Sequence, residues 1–401
     1  MSKLYYILIV IIVLGIFSAI VFGSDNLSKY RYPSFYTIYD SQTFYSASNT
    51  MKFNDSDELF NNSEYLLAYT AYPKYLIFIH NIYSFFGIKE ITYPIMVFSN
   101  ILLLIAIFIL YWIVFKPTHP TELLLLCPLL LEPSLFGFSL TLERELFGSF
   151  FLALIALVFA YSNGRKKWIF FLILLYIGFN IRREIVLITL ISIITFYFLN
   201  FYNSLYNKKN KIILLGVTIP LFIFFSFYIY IYFIEEINLQ LQSLISTAST
   251  SGFGSAILTL PIVLRLFSYF FLFFFAPIPI THLLYSEFIF PYEWFLVFSG
   301  ISYLVLWIII LKNHVFISQK ELFLMIMLIV SHFILGSFLF NIRHRTDIIV
   351  LLVCLVLIIF KNKLGKGFTV KNILKENSIV LIIGIGIQLF LHSIYFFLKI
   401  N

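Results

Sequence analysis

Charged residues are scarce in this chain. They make up 11% of its 401 residues, less than half of the roughly 25% that a soluble domain carries. Hydrophobic residues make up 61%, and the mean hydropathy is +0.98, more apolar surface than one soluble domain can bury. A soluble globular protein is excluded, and disordered, fibrous and nucleic-acid-binding classes fall with it. Cysteine is nearly absent. Cys127 and Cys354 lie far apart inside apolar runs, which fits buried thiols and neither a disulfide framework nor a metal site. Also missing are a P-loop, a G-x-S-x-G, a G-x-G-x-x-G and any Cys/His cluster. His80 and His282 have no companion at metal-ligand spacing.

What is present is a series of long apolar runs: 4–23, 92–115, 122–140, 146–162, 168–181, 185–202, 212–234, 258–277, 294–311, 322–340, 347–360 and 378–398. About 20 apolar residues of helix cross the roughly 30 Å hydrocarbon core of a bilayer. The expectation is an all-α, polytopic membrane protein with ten to twelve crossings, in one transmembrane domain. Residues 4–23 read as a retained first helix, since no A-x-A-like site closes the run. Residues 24–91 form a long outer loop with short amphipathic helices, and 92–398 a helix bundle.

Lys and Arg in short loops mark the cytoplasmic side. Lys3, the Arg165–Lys167 cluster, the Lys208–Lys211 cluster and the lysines from Lys361 to Lys375 all fall on one side if 24–91 lies outside. The run 258–277 must then fail to cross simply. Its Pro261, Arg265, Pro277 and Pro279 fit a re-entrant or interfacial helix. This arrangement sorts the cations. Fourteen of nineteen lysines fall inside, whereas of eight arginines only Arg165 falls in a cytoplasmic loop. Arginine's planar fork donates two parallel hydrogen bonds and stays charged, so it suits phosphate better than lysine does. An outer face that gathers arginine against the topological trend is expected to bind an anionic ligand.

Four charged stretches fall on that face. Asp40, some 17 residues past the first helix, is placed to act as a general base, with a solvated loop acid or helix cap as the structural alternative. Glu143-Arg144-Glu145 opens the run 146–162; acids at a helix N-terminus are favoured by its dipole, and at a membrane boundary they call for a watery cavity or a partner. Arg182-Arg183-Glu184 splits a 35-residue apolar stretch into two short helices, and Arg343-His344-Arg345-Thr346-Asp347 separates two later runs likewise. The R-x-R spacing could present two guanidinium groups to one diphosphate; the simpler alternative is an interfacial anchor. Glu132, inside the run 122–140, is either paired or neutral.

The order of these features resembles the GT-C superfamily of membrane glycosyltransferases and the related Wzy-type polymerases of O-antigen and capsule. Tyr39-Asp40-Ser41 stands where such proteins carry an acid near the start of the long outer loop. Tyr72-Pro73-Lys74-Tyr75 through Phe86-Gly87 looks like the close of that loop. Ser139 through Glu145 resembles a recurring serine-rich turn with an Arg-acid neighbour, Asn180 through Glu184 a break between two short helices, and Asn341 to Arg345 a late N-x-R-x-R. Two departures stand out: Glu184 follows where proline is common, and Asp40 near the start of the outer loop stands alone where metal-using members carry an adjacent pair.

The resemblance implies sugar transfer from an undecaprenyl-(di)phosphate-linked saccharide on the periplasmic face of a bacterial inner membrane. O-antigen or capsule repeat-unit polymerisation leads, and single-sugar transfer by a GT-C enzyme is the alternative. Asp40, Glu143 and Glu145 would be the catalytic acids. Arg144, Arg182, Arg183, Arg265, Arg343 and Arg345 would hold the diphosphate. No cofactor is expected, and the lone Asp40 speaks against a divalent metal. The expected partners are the lipid-linked saccharide, the bilayer and other polysaccharide-assembly membrane proteins, with no nucleic acid. A lipid-linked oligosaccharide flippase is the rival class, although the runs do not divide into two similar halves; a purely structural membrane subunit comes third.

Overall fold

The computed structural model describes residues 2–23, 71–88, 91–142, 144–205, 291–338 and 342–400, together with 264, 268, 270, 271, 273 and 274. Asp40, Glu143, Arg265 and the Lys208–Lys211 cluster lie outside the described residues. Among those described, every regular element is a helix. In chain order these are α1 (Ser2–Gly23), α2 (Ala71–Phe85), α3 (Tyr93–Phe98), α4 (Asn100–Phe115), α5 (Leu123–Leu130), α6 (Pro133–Ser139), α7 (Arg144–Tyr161), α8 (Arg165–Ile181), α9 (Arg183–Ser204), α10 (Pro291–Lys312), α11 (Leu322–Phe338), α12 (Thr346–Gly365) and α13 (Val370–Ile400). Short 3₁₀ turns precede α5, α11 and α12.

Six spans within these elements are long and apolar enough to cross a membrane: Ser2–Phe22, Tyr93–Phe115, Arg144–Tyr161, Arg183–Ser204, Thr346–Gly365 and Val370–Leu391. Three shorter apolar helices, Lys167–Ile181, Phe298–Lys312 and Leu322–Gly336, lie among them. The run 122–140, expected as one crossing, is instead broken: α5 and α6 meet at a 56° bend. The cause is local. Pro133 at the first position of α6 cannot continue the α5 hydrogen-bond ladder, and it holds Glu132 in an extended conformation (φ −54°, ψ 125°). The Glu132 carboxylate then caps the new helix, accepting from the Leu135 N–H at 2.8 Å.

The bundle is built around α12. Every residue from Thr346 through Phe360 is buried, and α7, α4, α10 and α11 all pack on it. A helix apolar all round can only be the centre of a bundle or face lipid, and here it is the centre. Helices α1 and α13 keep only 22% of their spans buried, leaving the rest of their apolar surface for lipid.

Two ends of the bundle follow from contacts. At one, Ser2 donates to the Pro117 carbonyl, Tyr161 to Glu321, and Asn362 to Glu321 and the Phe316 carbonyl. Lys116, Lys312, Lys361, Lys363 and Lys366 gather there. At the other end lie the α7 and α12 N-termini and the α8–α9 junction, with Arg144, Arg182, Arg183 and Arg345. The three charged turns at 144–145, 182–184 and 343–347 thus share one end.

Close helix approach depends on particular glycines. A Cβ on Gly178 would meet Ile185 Cγ2 at 2.9 Å, and one on Gly384 would meet Val305 Cγ2 at 2.7 Å, whereas Gly386 has nothing within 4 Å. Overpacking of this kind costs about 1–3 kcal/mol. Gly178→Ala and Gly384→Ala should each lower the melting temperature of the detergent-solubilised protein, and Gly386→Ala should leave it unchanged. A drop for Gly386→Ala equal to the other two would show that packing is not what these positions sense.

Candidate functional site

The site is assembled from three breaks in the helical chain. Arg182 stands between α8 and α9 in an extended conformation (φ −156°, ψ 126°), while its N–H still closes α8 on the Gly178 carbonyl at 2.8 Å. Glu145 and Glu184 occupy the first turns of α7 and α9, and Asp347 that of α12. Unpaired N–H groups and the helix dipole favour a carboxylate at each of these positions. The 3₁₀ turn Ile342–Arg345 leads into α12 and carries His344.

These breaks meet in a buried knot. Arg182 Nη2 donates to Glu145 Oε1 at 3.0 Å, and Arg182 Nη1 donates to Asp347 Oδ2. His344 Nδ1 lies 2.9 Å from Arg182 Nη1 and 3.0 Å from Asp347 Oδ2. A neutral ring therefore accepts from the guanidinium through Nδ1, and a ring protonated there donates to the carboxylate. The Arg182, Glu145 and Asp347 side chains are at most 6% exposed. Asp347 Oδ1 is buried with no hydrogen-bond partner among the described residues. Gly148, one turn into α7, faces the knot, and a Cβ there would lie in ordinary contact with Asp347 Oδ1 at 3.5 Å.

Neighbouring contacts fix the surrounding turns. Asn100 Nδ2 donates to the carbonyls of Ser139 and Thr141 at 2.8 and 2.9 Å, which pins the turn leading into α7. Ser149 Oγ accepts from the Val350 N–H at 3.0 Å and ties α7 to α12. Helix α2 docks beside the knot. Its Tyr75 ring stacks on Phe147 of α7 at 5.2 Å, and its hydroxyl donates to the Ser99 carbonyl at 3.2 Å. The Tyr72-Pro73-Lys74-Tyr75 stretch thus anchors the end of the long loop two residues from Glu145.

Arg345 turns elsewhere. It is fully buried, its Nε donating to the Phe273 carbonyl at 2.6 Å, with the guanidinium 5.2 Å from the Tyr303 ring centre. The Tyr303 hydroxyl is 2.6 Å from His332 Nδ1, within an aromatic wall of Phe270, Phe273, Phe274 and Trp307. Arg345 is therefore sealed in the bundle and not presented beside Arg343 as a diphosphate fork.

Of the expected site residues, the structure brings Glu145 and Arg182 into one contact and seals Arg345 close by. Arg183 is exposed and Arg144 half-buried; Arg343 lies in the 3₁₀ turn. Glu132 meets no arginine in any ion pair described here, and its neighbours are the Leu135 N–H and the serines of α6 and α10, with Ser134 Oγ 2.6 Å from Ser299 Oγ. Sequence reasoning gave no separate role to Asp347, His344, Asn100, Tyr303 or His332. Among the described residues no group of three His, Cys, Asp or Glu side chains has metal-binding geometry.

Comparison of the chain with protein-family models, curated proteins and solved structures finds no match. Chemistry must therefore be argued from the residues. The knot itself is a structural device: each of its charges is committed to another, and what it offers a ligand is position. Three of the four knot residues have an arginine next to them in the chain: Arg144 beside Glu145, Arg183 beside Arg182, Arg343 beside His344.

Removing one partner of a buried ion pair costs about 3–5 kcal/mol, whereas replacing all partners with uncharged groups of similar volume is often neutral. Arg182→Ala should lower stability by that amount. The triple variant Glu145→Gln, Arg182→Met, Asp347→Asn should recover most of it. Thermal melts of the purified protein would show this, and a triple variant no more stable than Arg182→Ala would mean that uncompensated charge is not the cause.

Proposed function

We propose that the chain is a membrane glycosyltransferase that uses a saccharide carried on a polyprenyl (di)phosphate, acting at the arginine-rich end of the bundle. The lysine distribution supports assigning that end to the outer face, which in this reading is the periplasmic side of a bacterial inner membrane. Polymerisation of O-antigen or capsule repeat units is the leading reaction, with transfer of a single sugar as the alternative. One observation carries the reading: three turns distant in sequence are clasped by a buried ionic knot, and each turn includes an arginine next in sequence to a knot residue, Arg144, Arg183 or Arg343. The resemblance to GT-C enzymes drawn from the sequence supports it.

In such a reaction the acceptor hydroxyl oxygen bonds to the anomeric carbon, the bond from that carbon to the phosphate oxygen breaks, and the (di)phosphate departs with the electron pair. A base takes the hydroxyl proton. Arg144, Arg183 and Arg343 are the residues to neutralise the leaving group, while Arg182 and Arg345, both sealed, position them. Glu145 is occupied by Arg182, so the base falls to Asp40 or Glu143. The chain needs no cofactor in this scheme.

A flippase for lipid-linked saccharides is the second reading, and the broken α5–α6 pair favours it, because discontinuous helices commonly build transporter sites. Product chemistry separates the two. Reconstituted protein supplied with a polyprenyl-diphosphate-linked saccharide should release free polyprenyl diphosphate and form longer saccharide. Translocation without release would mark the flippase.

Sidedness has its own test. On a Cys127→Ser background, a cysteine at exposed position 183 should react with an impermeant thiol reagent added to cells with a permeabilised outer membrane, and one at exposed position 163 should not. The reverse pattern would put the arginine-rich end in the cytoplasm. Among the rim arginines, Arg183→Lys is the sharpest probe of chemistry, since lysine keeps the charge but loses the two-pronged contact. A hydrogen bond to a charged group is worth about 1.5–3 kcal/mol, so transfer should fall by about ten- to over a hundredfold at unchanged protein level. Near-normal transfer by the Lys variants of Arg144, Arg183 and Arg343 would sink the phosphate role.

A further inference from the structure

The other end of the bundle holds a site that the transfer reaction does not use. A cleft of about 460 Å³ opens between the 313–321 turn and the last turns of α12, lined by Ser318, Glu321, Lys361, Asn362 and Lys366 over an apolar wall that includes Val315. Its polar groups divide into two kinds. The Glu321 carboxylate is spent: Oε1 accepts from the Tyr161 hydroxyl at 3.0 Å, and Oε2 from the Ser318 N–H at 2.6 Å and Asn362 Nδ2 at 3.0 Å. Asn362 Nδ2 also donates to the Phe316 carbonyl at 2.8 Å. Nearby Lys363 is paired with Glu376 at 2.5 Å. These groups build the wall.

The two lysines that line the cleft are differently placed. Lys361 is exposed, and the hydrogen bond its ammonium makes, to the Val114 carbonyl, is long at 3.4 Å. Lys366 is exposed, its ammonium 4.8 Å from the Phe316 ring centre. Glu321 is held by neutral internal donors and attracts Lys361, and the cleft presents two ammonium groups against this one carboxylate, with the Ser318 hydroxyl beside an apolar wall on which Val315 is 66% exposed. It lies at the mouth of the bundle, where the apolar length of α12 ends. Paired cations above exposed apolar surface, at a membrane boundary, match an anionic phosphate with acyl chains below it.

We propose that this cleft binds a phosphate group, with Lys361 and Lys366 as its cationic contacts; the phosphate belongs either to an anionic phospholipid headgroup or to a soluble phosphate. The site is independent of the transfer reaction proposed for the opposite end. The competing account is that both lysines merely snorkel to the interface.

Native mass spectrometry of the full chain in neutral detergent, titrated with phosphatidylglycerol, phosphatidylcholine or inorganic phosphate, tests the proposal. Phosphatidylglycerol should bind more tightly than phosphatidylcholine. Each lysine near an anionic lipid contributes about fivefold in affinity, so Lys361→Gln with Lys366→Gln should weaken the tightest phosphatidylglycerol site by about thirtyfold. The corresponding pair of Arg variants should retain it. Displacement of the lipid by millimolar inorganic phosphate would identify a soluble phosphate as an alternative occupant; no displacement would assign the site to the headgroup. Equal phosphatidylglycerol affinity for the wild type and the double Gln variant, or phosphatidylcholine binding as tight as phosphatidylglycerol, would overturn the proposal. Both lysines are exposed, so a melting temperature equal to wild type is expected of the Gln variant and confirms that folding is not what changed.

Discussion

A guanidinium removed from water and held between two carboxylates is the constraint on which the arginine-rich end is built. Two carboxylates against one arginine leave an excess negative charge that an apolar bundle cannot carry uncompensated. The fold supplies the balance through its backbone. Glu145 and Asp347 each sit in the first turn of a helix, and each helix N-terminus acts as roughly half a positive charge. The two N-termini, with the attraction of the Arg144 guanidinium for Asp347, offset the second carboxylate. This explains why α7 and α12 must start at the same level, and why the chain breaks between α8 and α9 at Arg182. Ordinary helix-packing preferences do not require three breaks to coincide; a shared ionic knot does.

The central position of α12 follows from the same geometry. Its apolar body is buried on every side, so burial alone would let it slide along its axis against α7 with little change in contact. Asp347 in the knot and the bond from the Val350 N–H to Ser149 fix that register. At the far end Lys363 pairs with Glu376 of α13, and Asn362 reaches Glu321 at the start of α11. The two ends differ in kind: the knot is dry, while the lysine-rich end is laced by half-exposed bonds, each of modest worth in contact with water.

Much of this was legible in the sequence. Charged triplets that interrupt long apolar stretches gave the α8–α9 and α11–α12 junctions, because a stretch of 35 apolar residues cannot be one crossing. The α5–α6 break has a sequence signal that the unbroken apolar run 122–140 hid, Pro133: the residue before a proline is driven out of the helical region, and proline favours the first position of a new helix. What could not be read was which arginine of each group turns inward. Arg182 and Arg183 are adjacent and chemically identical, yet one is 2% exposed and the other stands in the open. The difference is the extended conformation at Arg182, which is set by tertiary contacts with α7 and α12. Asn100, Tyr303 and His332 sit singly within apolar runs, and their partners lie at least 29 residues away.

The arginine enrichment of one end therefore has a structural source beside the ligand role proposed for it. Arg182 uses both terminal nitrogens of its fork, one toward Glu145 and one toward Asp347 and His344; a lysine, with a single nitrogen, could not span three partners on three elements. Arg345 lies against aromatic rings while donating to a backbone carbonyl, again a task for a flat, weakly hydrated cation. Structure accounts for these two, and neither counts toward anion binding. Arg144, Arg183 and Arg343 are each next in sequence to a residue of the knot. A helix-end anchor would have been served as well by lysine, the cation this chain uses at the opposite end. Arginine at all three positions supports the phosphate role proposed for this end, because a planar fork suits a phosphate better than an ammonium does.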